Sequence, residues 1–84
     1  MGLPTDPVTL SAEQVADLNR KLSDLRHEIN NHLSLMLAAI ELARYKPESA
    51  ERMMAGLAEQ PTKITEALKK FSGELEATLG ITRL

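Results

Sequence analysis

A heptad pattern of mostly apolar residues runs along most of this 84-residue chain. In the first half, positions at alternating steps of three and four are occupied by Val15, Leu18, Leu22, Leu25, Ile29, His32, Met36, Ala39 and Ala43. In the second half, the same steps connect Ala50, Met54, Leu57, Pro61, Ile64, Leu68, Phe71, Leu75 and Thr78. Such spacing keeps one stripe of a helix against a partner helix, so it predicts two long helices that pack together.

The start of the first helix has its own local pattern. Pro4 and Pro7 disfavour helix near the N-terminus, so residues 1–10 are predicted to form a disordered tail. Ser11 and Gln14 have the spacing of a capping box, in which each side chain bonds the other residue's backbone N–H. Helix 1 is therefore expected at about residues 11–45.

A proline separates the two helices. Pro47 cannot continue helix 1 but suits the first turn of a new helix, which predicts a tight turn and a second helix at about residues 47–79. Pro61 lies inside that second pattern without a change of phase, so the helix is expected to kink there and continue. Gly80 is a natural C-cap, and residues 81–84 are expected to fray.

These elements predict an all-α fold, a long antiparallel helical hairpin spanning residues 11–80. One hairpin is too small to bury both stripes fully, because each helix covers only one side of the other. Beyond His27 the apolar face of helix 1 widens to include Leu33, Leu35, Ile40 and Leu42. A homodimer that closes into a four-helix bundle is the simplest arrangement that covers this wider face.

Composition and charge exclude several classes of function. The chain has no cysteine, which excludes disulfides and thiolate-bound zinc. Ten Lys and Arg residues are interspersed with twelve Asp and Glu residues, so the basic stripe of a nucleic-acid binder is missing. No apolar run is long enough for a membrane span, and no signal peptide is recognisable. We therefore expect a cytoplasmic protein that binds neither nucleic acid nor membrane.

The heptad register sets the positions of the two histidines. His27 falls at the position farthest from the helix interface and is expected to be exposed, which by itself is typical of an ordinary solvated residue. His32 falls on the interface and is expected to be a near-core histidine hydrogen-bonded to a neighbour. His32 comes five positions after His27, whereas two zinc ligands on one helix face need a spacing of four positions. We expect neither a metal nor a cofactor.

Residues 25–33, LRHEINNHL, resemble the H-box of the dimerisation and phosphoacceptor domain of sensor histidine kinases. Residues 64–72, ITEALKKFS, are similar to the end of the second helix in that family. The resemblance covers roughly residues 15–80 and implies a hairpin that dimerises into a four-helix bundle.

The resemblance also implies roles for individual residues. His27 would carry the phosphate, Glu28 would assist proton transfer, and Asn31 would orient phosphate or an attacking water. Spacing supports Asn31, which lies one turn after His27, but Glu28 is 100° away around the helix and does not face His27 by spacing alone. Surface residues after the histidine would contact a response-regulator receiver domain, and we expect them to be Ser34, Leu35 and Ala38 in addition to Asn31.

This sequence departs from the family pattern in two respects. His32 occupies a position where the family commonly has proline, so helix 1 is expected to be straighter than in the family. These 84 residues contain no ATP-binding domain, so the chain is not expected to act as a kinase by itself. A piece of a larger kinase and a plain structural hairpin are both compatible with the sequence, and two more specific functions remain. One is histidine phosphotransfer or response-regulator docking with phosphate on His27; the other is a non-catalytic dimerisation or adaptor module that binds a histidine kinase or a receiver domain.

Overall fold

A computed structural model describes residues 6–80, which form two long helices in an extended hairpin. Helix α1 spans Ala12–Tyr45, a short 3-10 helix spans Pro47–Ser49, and helix α2 spans Ala50–Leu79. The hairpin is 58 Å long and 12 Å across its thinnest dimension. The prediction of an all-helical hairpin is confirmed for the described residues.

The ends of the helices follow the predicted capping signals. Ser11 is the N-cap of α1: its Oγ accepts from the Gln14 N–H at 3.1 Å, and the Gln14 Oε1 accepts from the Ser11 N–H at 2.9 Å. At the other end, Gly80 adopts a left-handed φ of 70° as the C-cap of α2. Glycine suits that conformation because it has no Cβ to clash.

The turn between the helices differs in one detail from the prediction. Pro47 does begin the second helical segment, but the first turn is a 3-10 helix and α2 begins at Ala50. The Lys46 N–H donates to the Leu42 carbonyl at 2.8 Å, and the Ser49 N–H donates to the Lys46 carbonyl at 2.9 Å. These two bonds tighten the reversal of the chain.

The interface stripe of α1 is largely as predicted. Seven of its nine predicted positions are buried or half-buried, namely Leu18, Leu25, Ile29, His32, Met36, Ala39 and Ala43. The two exceptions are Val15 and Leu22, which are 52% and 42% exposed. Leu25 is the most enclosed residue of the helix, at 8% exposure.

The predicted stripe of α2 is wrong at three positions. Met54, Pro61 and Leu68 are exposed, and the residues immediately before them, Met53, Gln60 and Ala67, face α1 instead. Those three also continue the three-and-four spacing from Ala50, Leu57 and Ile64, so the periodicity fits either set. Periodicity alone therefore could not distinguish the two sets.

Helix α2 continues through Pro61 without a break, as predicted. The hydroxyl of Thr65, one turn after Pro61, donates a hydrogen bond of 3.0 Å to the Pro61 carbonyl. Residues 6–10 are not helical, and residues 1–5 of the predicted tail and the predicted frayed end at 81–84 lie outside the described residues. Neither α1 nor α2 is apolar enough over a sufficient length to cross a membrane.

The two helices alone enclose a very small core. Within residues 6–80, the only buried apolar residues are Leu25 and Ala67, and the only buried polar residue is Gln60. Large apolar side chains remain exposed on both helices, including Leu33, Leu37, Ile40, Met54 and Leu68.

Candidate functional site

His27 lies on the outer surface of α1, as its heptad position predicts. It is exposed, and within residues 6–80 its imidazole takes part in neither a side-chain hydrogen bond nor an ion pair. Asn31, one turn further along the same helix, is also exposed. The imidazole and the amide therefore border one open surface of the hairpin.

The predicted partner-binding residues are exposed as well. Ser34, Leu35 and Ala38 lie within three turns of His27 on α1, and Leu35 is 49% exposed. All three are accessible to a second protein that approaches His27 from solvent.

Glu28 is directed toward His32, four residues further along the helix. Its Oε1 lies 3.8 Å from the Nε2 of His32, and its side chain is 56% exposed. This separation is too long for a hydrogen bond but close enough for an ion pair when His32 is protonated. The Glu28 carboxylate therefore lies near His32 on α1. Its relation to His27 is only that the two residues are adjacent in sequence.

His32 makes a hydrogen bond between side chains of the two helices. Its Nδ1 lies 2.7 Å from the Oε1 of Gln60 on α2, and only 13% of its side chain is exposed. The Nε2 of Gln60 donates a long hydrogen bond of 3.5 Å to the Gly56 carbonyl. The expectation of a near-core histidine bonded to a neighbour is confirmed.

Sequence reasoning missed Gln60 because the predicted stripe passed through Pro61. Gln60 is 8% exposed, and its amide would be costly to bury without a partner. A glutamine at heptad spacing opposite an interfacial histidine is the signal that could have identified it.

An open groove, which we call the charged groove, runs beside His32 and Gln60 between the two helices. A cavity of about 270 Å³ is lined by Glu28, His32, Lys63, Glu66, Ala67 and Lys70. A second cavity shares Glu28, Ala67 and Lys70 and extends toward Asp24 and Arg20. Lysines alternate with glutamates along the first cavity, so its fixed charges balance and favour neither an anion nor a cation.

The two histidines do not form a metal site. His27 faces solvent, whereas His32 faces Gln60 across the helix interface. Among residues 6–80 there is no cluster of three histidine, cysteine, aspartate or glutamate side chains that could hold a metal ion.

No protein-family model, curated protein or solved structure matches this chain. The interpretation of residues 25–33 as an H-box therefore stays a prediction.

Proposed function

We propose that this chain is a histidine phosphotransfer or response-regulator-docking module of two-component signalling, with phosphate carried on His27. The observation that carries the proposal is the exposed imidazole of His27 on the first helix of an antiparallel hairpin, with the exposed Asn31 one turn away. This arrangement is the one that the resemblance of residues 25–33 to an H-box requires.

The chemistry needs an accessible nucleophile. A neutral imidazole nitrogen of His27 attacks the phosphorus of an aspartyl phosphate on a receiver domain. The P–N bond forms as the P–O bond to the aspartate breaks, and the aspartate leaves as a carboxylate with the electron pair. The other imidazole nitrogen then gives up its proton to Glu28 or to water, while the Asn31 amide orients the phosphoryl oxygens.

A homodimer would cover the apolar side chains that the hairpin leaves exposed. Leu33 and Ile40 of α1, and Met54 and Leu68 of α2, each follow an interface residue by four positions; we call these four residues the apolar face. In an antiparallel pair such positions lie on the same side, opposite the charged groove. Pairing of two apolar faces gives a four-helix bundle and leaves His27 in solvent.

The docking surface for a receiver domain would be the exposed stretch of α1 after the histidine. Ser34 and Ala38 supply small side chains that allow close approach, and Leu35 supplies an exposed apolar contact. Together with Asn31 they form a continuous strip along the helix.

The direct test is phosphoryl transfer from receiver domains that have been phosphorylated with acetyl phosphate. We expect the native protein to acquire acid-labile phosphate, His27→Gln to acquire none, and His32→Gln to retain labelling. Absence of label in the folded native protein across a panel of receiver domains would refute phosphotransfer. Label that persists in His27→Gln would assign it to another residue.

The exposed apolar residues also favour a second candidate, a non-catalytic dimerisation or adaptor module that binds a histidine kinase or a receiver domain. Burial of those residues requires a partner but no chemistry at His27. This candidate predicts that His27→Ala leaves both partner binding and cellular function intact, whereas phosphotransfer predicts that His27→Ala abolishes function.

A further inference from the structure

We infer that His32 is a positioning residue for the Glu28 carboxylate, and that Gln60 holds it in place from the opposite helix. The inference rests on the proposed function, because Glu28 is the proposed proton acceptor beside His27. It concerns the chain of contacts from the Gly56 carbonyl through Gln60 and His32 to Glu28.

The orientation of the Gln60 amide determines which nitrogen of His32 carries the proton. Its Nε2 donates to the Gly56 carbonyl at 3.5 Å, so its Oε1 is the atom that faces His32 at 2.7 Å. An amide oxygen only accepts hydrogen bonds. The Nδ1 of His32 must therefore carry a proton, and the neutral ring has its lone pair on Nε2.

The lone pair of neutral His32 lies on the side of the ring near Glu28. The Nε2 of His32 borders the charged groove, with the Oε1 of Glu28 at 3.8 Å. In neutral His32 both atoms are acceptors, so Glu28 gains nothing from approaching the ring. A second proton would place a charged N–H donor on Nε2, and the carboxylate would be attracted to it.

The charged groups that line the groove beside His32 are Lys63, Glu66 and Lys70 of α2 and Glu28 of α1. Because the carboxylate is attracted only to a protonated ring, the protonation state of His32 governs whether Glu28 is held at the groove or is free to accept a proton from His27. His32 thereby couples pH and the contact with α2 to the carboxylate beside the phosphoacceptor.

The contact chain can be tested without phosphoryl transfer. We expect long-range proton–nitrogen NMR spectra at neutral pH to show His32 protonated on Nδ1. Gln60→Leu should remove that preference, whereas Glu59→Leu, a substitution at the exposed neighbouring position, should retain it. Protonation of native His32 on Nε2 alone, or a Glu28 carboxyl resonance that does not respond to protonation of His32, would overturn the inference.

The functional consequence is tested by the pH profile of phosphoryl transfer from an acetyl-phosphate-treated receiver domain. Between about pH 8 and about pH 5.5, we expect the transfer rate of the native protein to fall about tenfold relative to that of His32→Gln, which cannot acquire the charge. In a Glu28→Gln background, His32→Gln should cause no further change in the profile. A purely structural role for His32 would instead give a pH-independent loss that persists in the Glu28→Gln background.

The two proposals fail separately. If the native protein takes up no phosphate, the proposed function is wrong, and the NMR experiment alone decides whether His32 and Glu28 are coupled. If phosphate reaches His27 but the native and His32→Gln profiles are parallel, the proposed function stands and the positioning role is wrong.

Discussion

Asp17 accepts hydrogen bonds from two basic side chains on the outer surface of α1. The Arg20 Nη2 donates to its Oδ1 at 2.6 Å, and the Lys21 Nζ lies 3.0 Å from its Oδ2. The hydrogen bond from Arg20, followed by that from Lys21, lowers the pKa of Asp17 below its usual value. A carboxylate whose pKa is lowered by folding stabilises the fold above its unfolded-state pKa, and this contribution is lost as the pH falls through the folded-state value.

We predict that Arg20→Gln raises the pKa of Asp17 toward its usual value, because the largest cause of the shift is removed. The measurement is an NMR titration of the Asp17 carboxyl. Arg26→Gln is the matched control, since Arg26 lies six residues further along α1, about 9 Å from Arg20 along the helix axis. An equal response of Asp17 to both substitutions would refute the assigned cause.

Leu25 is the most buried residue of α1, at 8% exposure, and packs in the interface close to Ala67 and Phe71. We predict that Leu25→Ala lowers the free energy of unfolding by about 2–4 kcal/mol, because it removes buried methyl groups and leaves a cavity. Leu37→Ala changes the same side chain at 58% exposure and should cost less than about 1 kcal/mol. Urea unfolding followed by circular dichroism compares the two; equal losses would contradict the observed core.

The sequence predicted where the two histidines lie but did not predict the side-chain contacts around them. The exposure of His27 and the interfacial position of His32 follow from the heptad register of one helix, so both could be predicted. The orientation of Glu28 toward His32 and the contact of His32 with Gln60 depend on side chains that meet only after the helices have paired. Periodicity contains no information about these contacts.

At the scale of the helices, the sequence predicted the ends better than the faces. Ser11, Pro47 and Gly80 act through backbone geometry and local hydrogen bonds, so they identify helix ends without tertiary contacts. The face of α2 depends on which of two equally spaced sets packs against α1. Packing selected Gln60 and Ala67, since His32 needs a hydrogen-bond partner and the small alanine allows the helices to approach.

Replacement of two glycines by alanine is expected to change the free energy of unfolding in opposite directions, because one lies inside α2 and the other caps its end. Gly73 lies inside α2, and a Cβ added there would meet no atom within 4 Å. We predict that Gly73→Ala raises the free energy of unfolding by about 1 kcal/mol, because alanine loses less backbone entropy on forming helix. Gly80→Ala should lower it by about 1–2 kcal/mol, since an L-residue is strained at a φ of 70°.

Thermal and urea unfolding of both variants measure these changes. Because the same substitution is made at both sites, the difference in sign reports on backbone conformation alone. Stabilisation by Gly80→Ala would contradict a left-handed C-cap, and destabilisation by Gly73→Ala would contradict an open position inside the helix.

For the molecule as a whole, the burial of only two apolar residues among positions 6–80 contrasts with the large apolar side chains left exposed on both helices. A hairpin with so small a core is marginal by itself, and association of apolar faces is the general way in which such chains gain stability. The proposed four-helix bundle therefore predicts that folding and dimerisation are coupled, with stability that rises with protein concentration.

We predict that Leu68→Glu weakens dimerisation at least about tenfold, because each copy would bring an unpaired carboxylate into the apolar interface. Lys69→Glu is the matched control: it introduces the same residue at the neighbouring exposed position, 100° further round α2 and outside the apolar face. Sedimentation equilibrium over a range of concentrations should show Leu68→Glu shifting toward the monomer mass while Lys69→Glu remains with the native protein. A native protein that is monomeric and folded at every concentration would refute the bundle, and equal weakening by both variants would place the interface elsewhere on the hairpin.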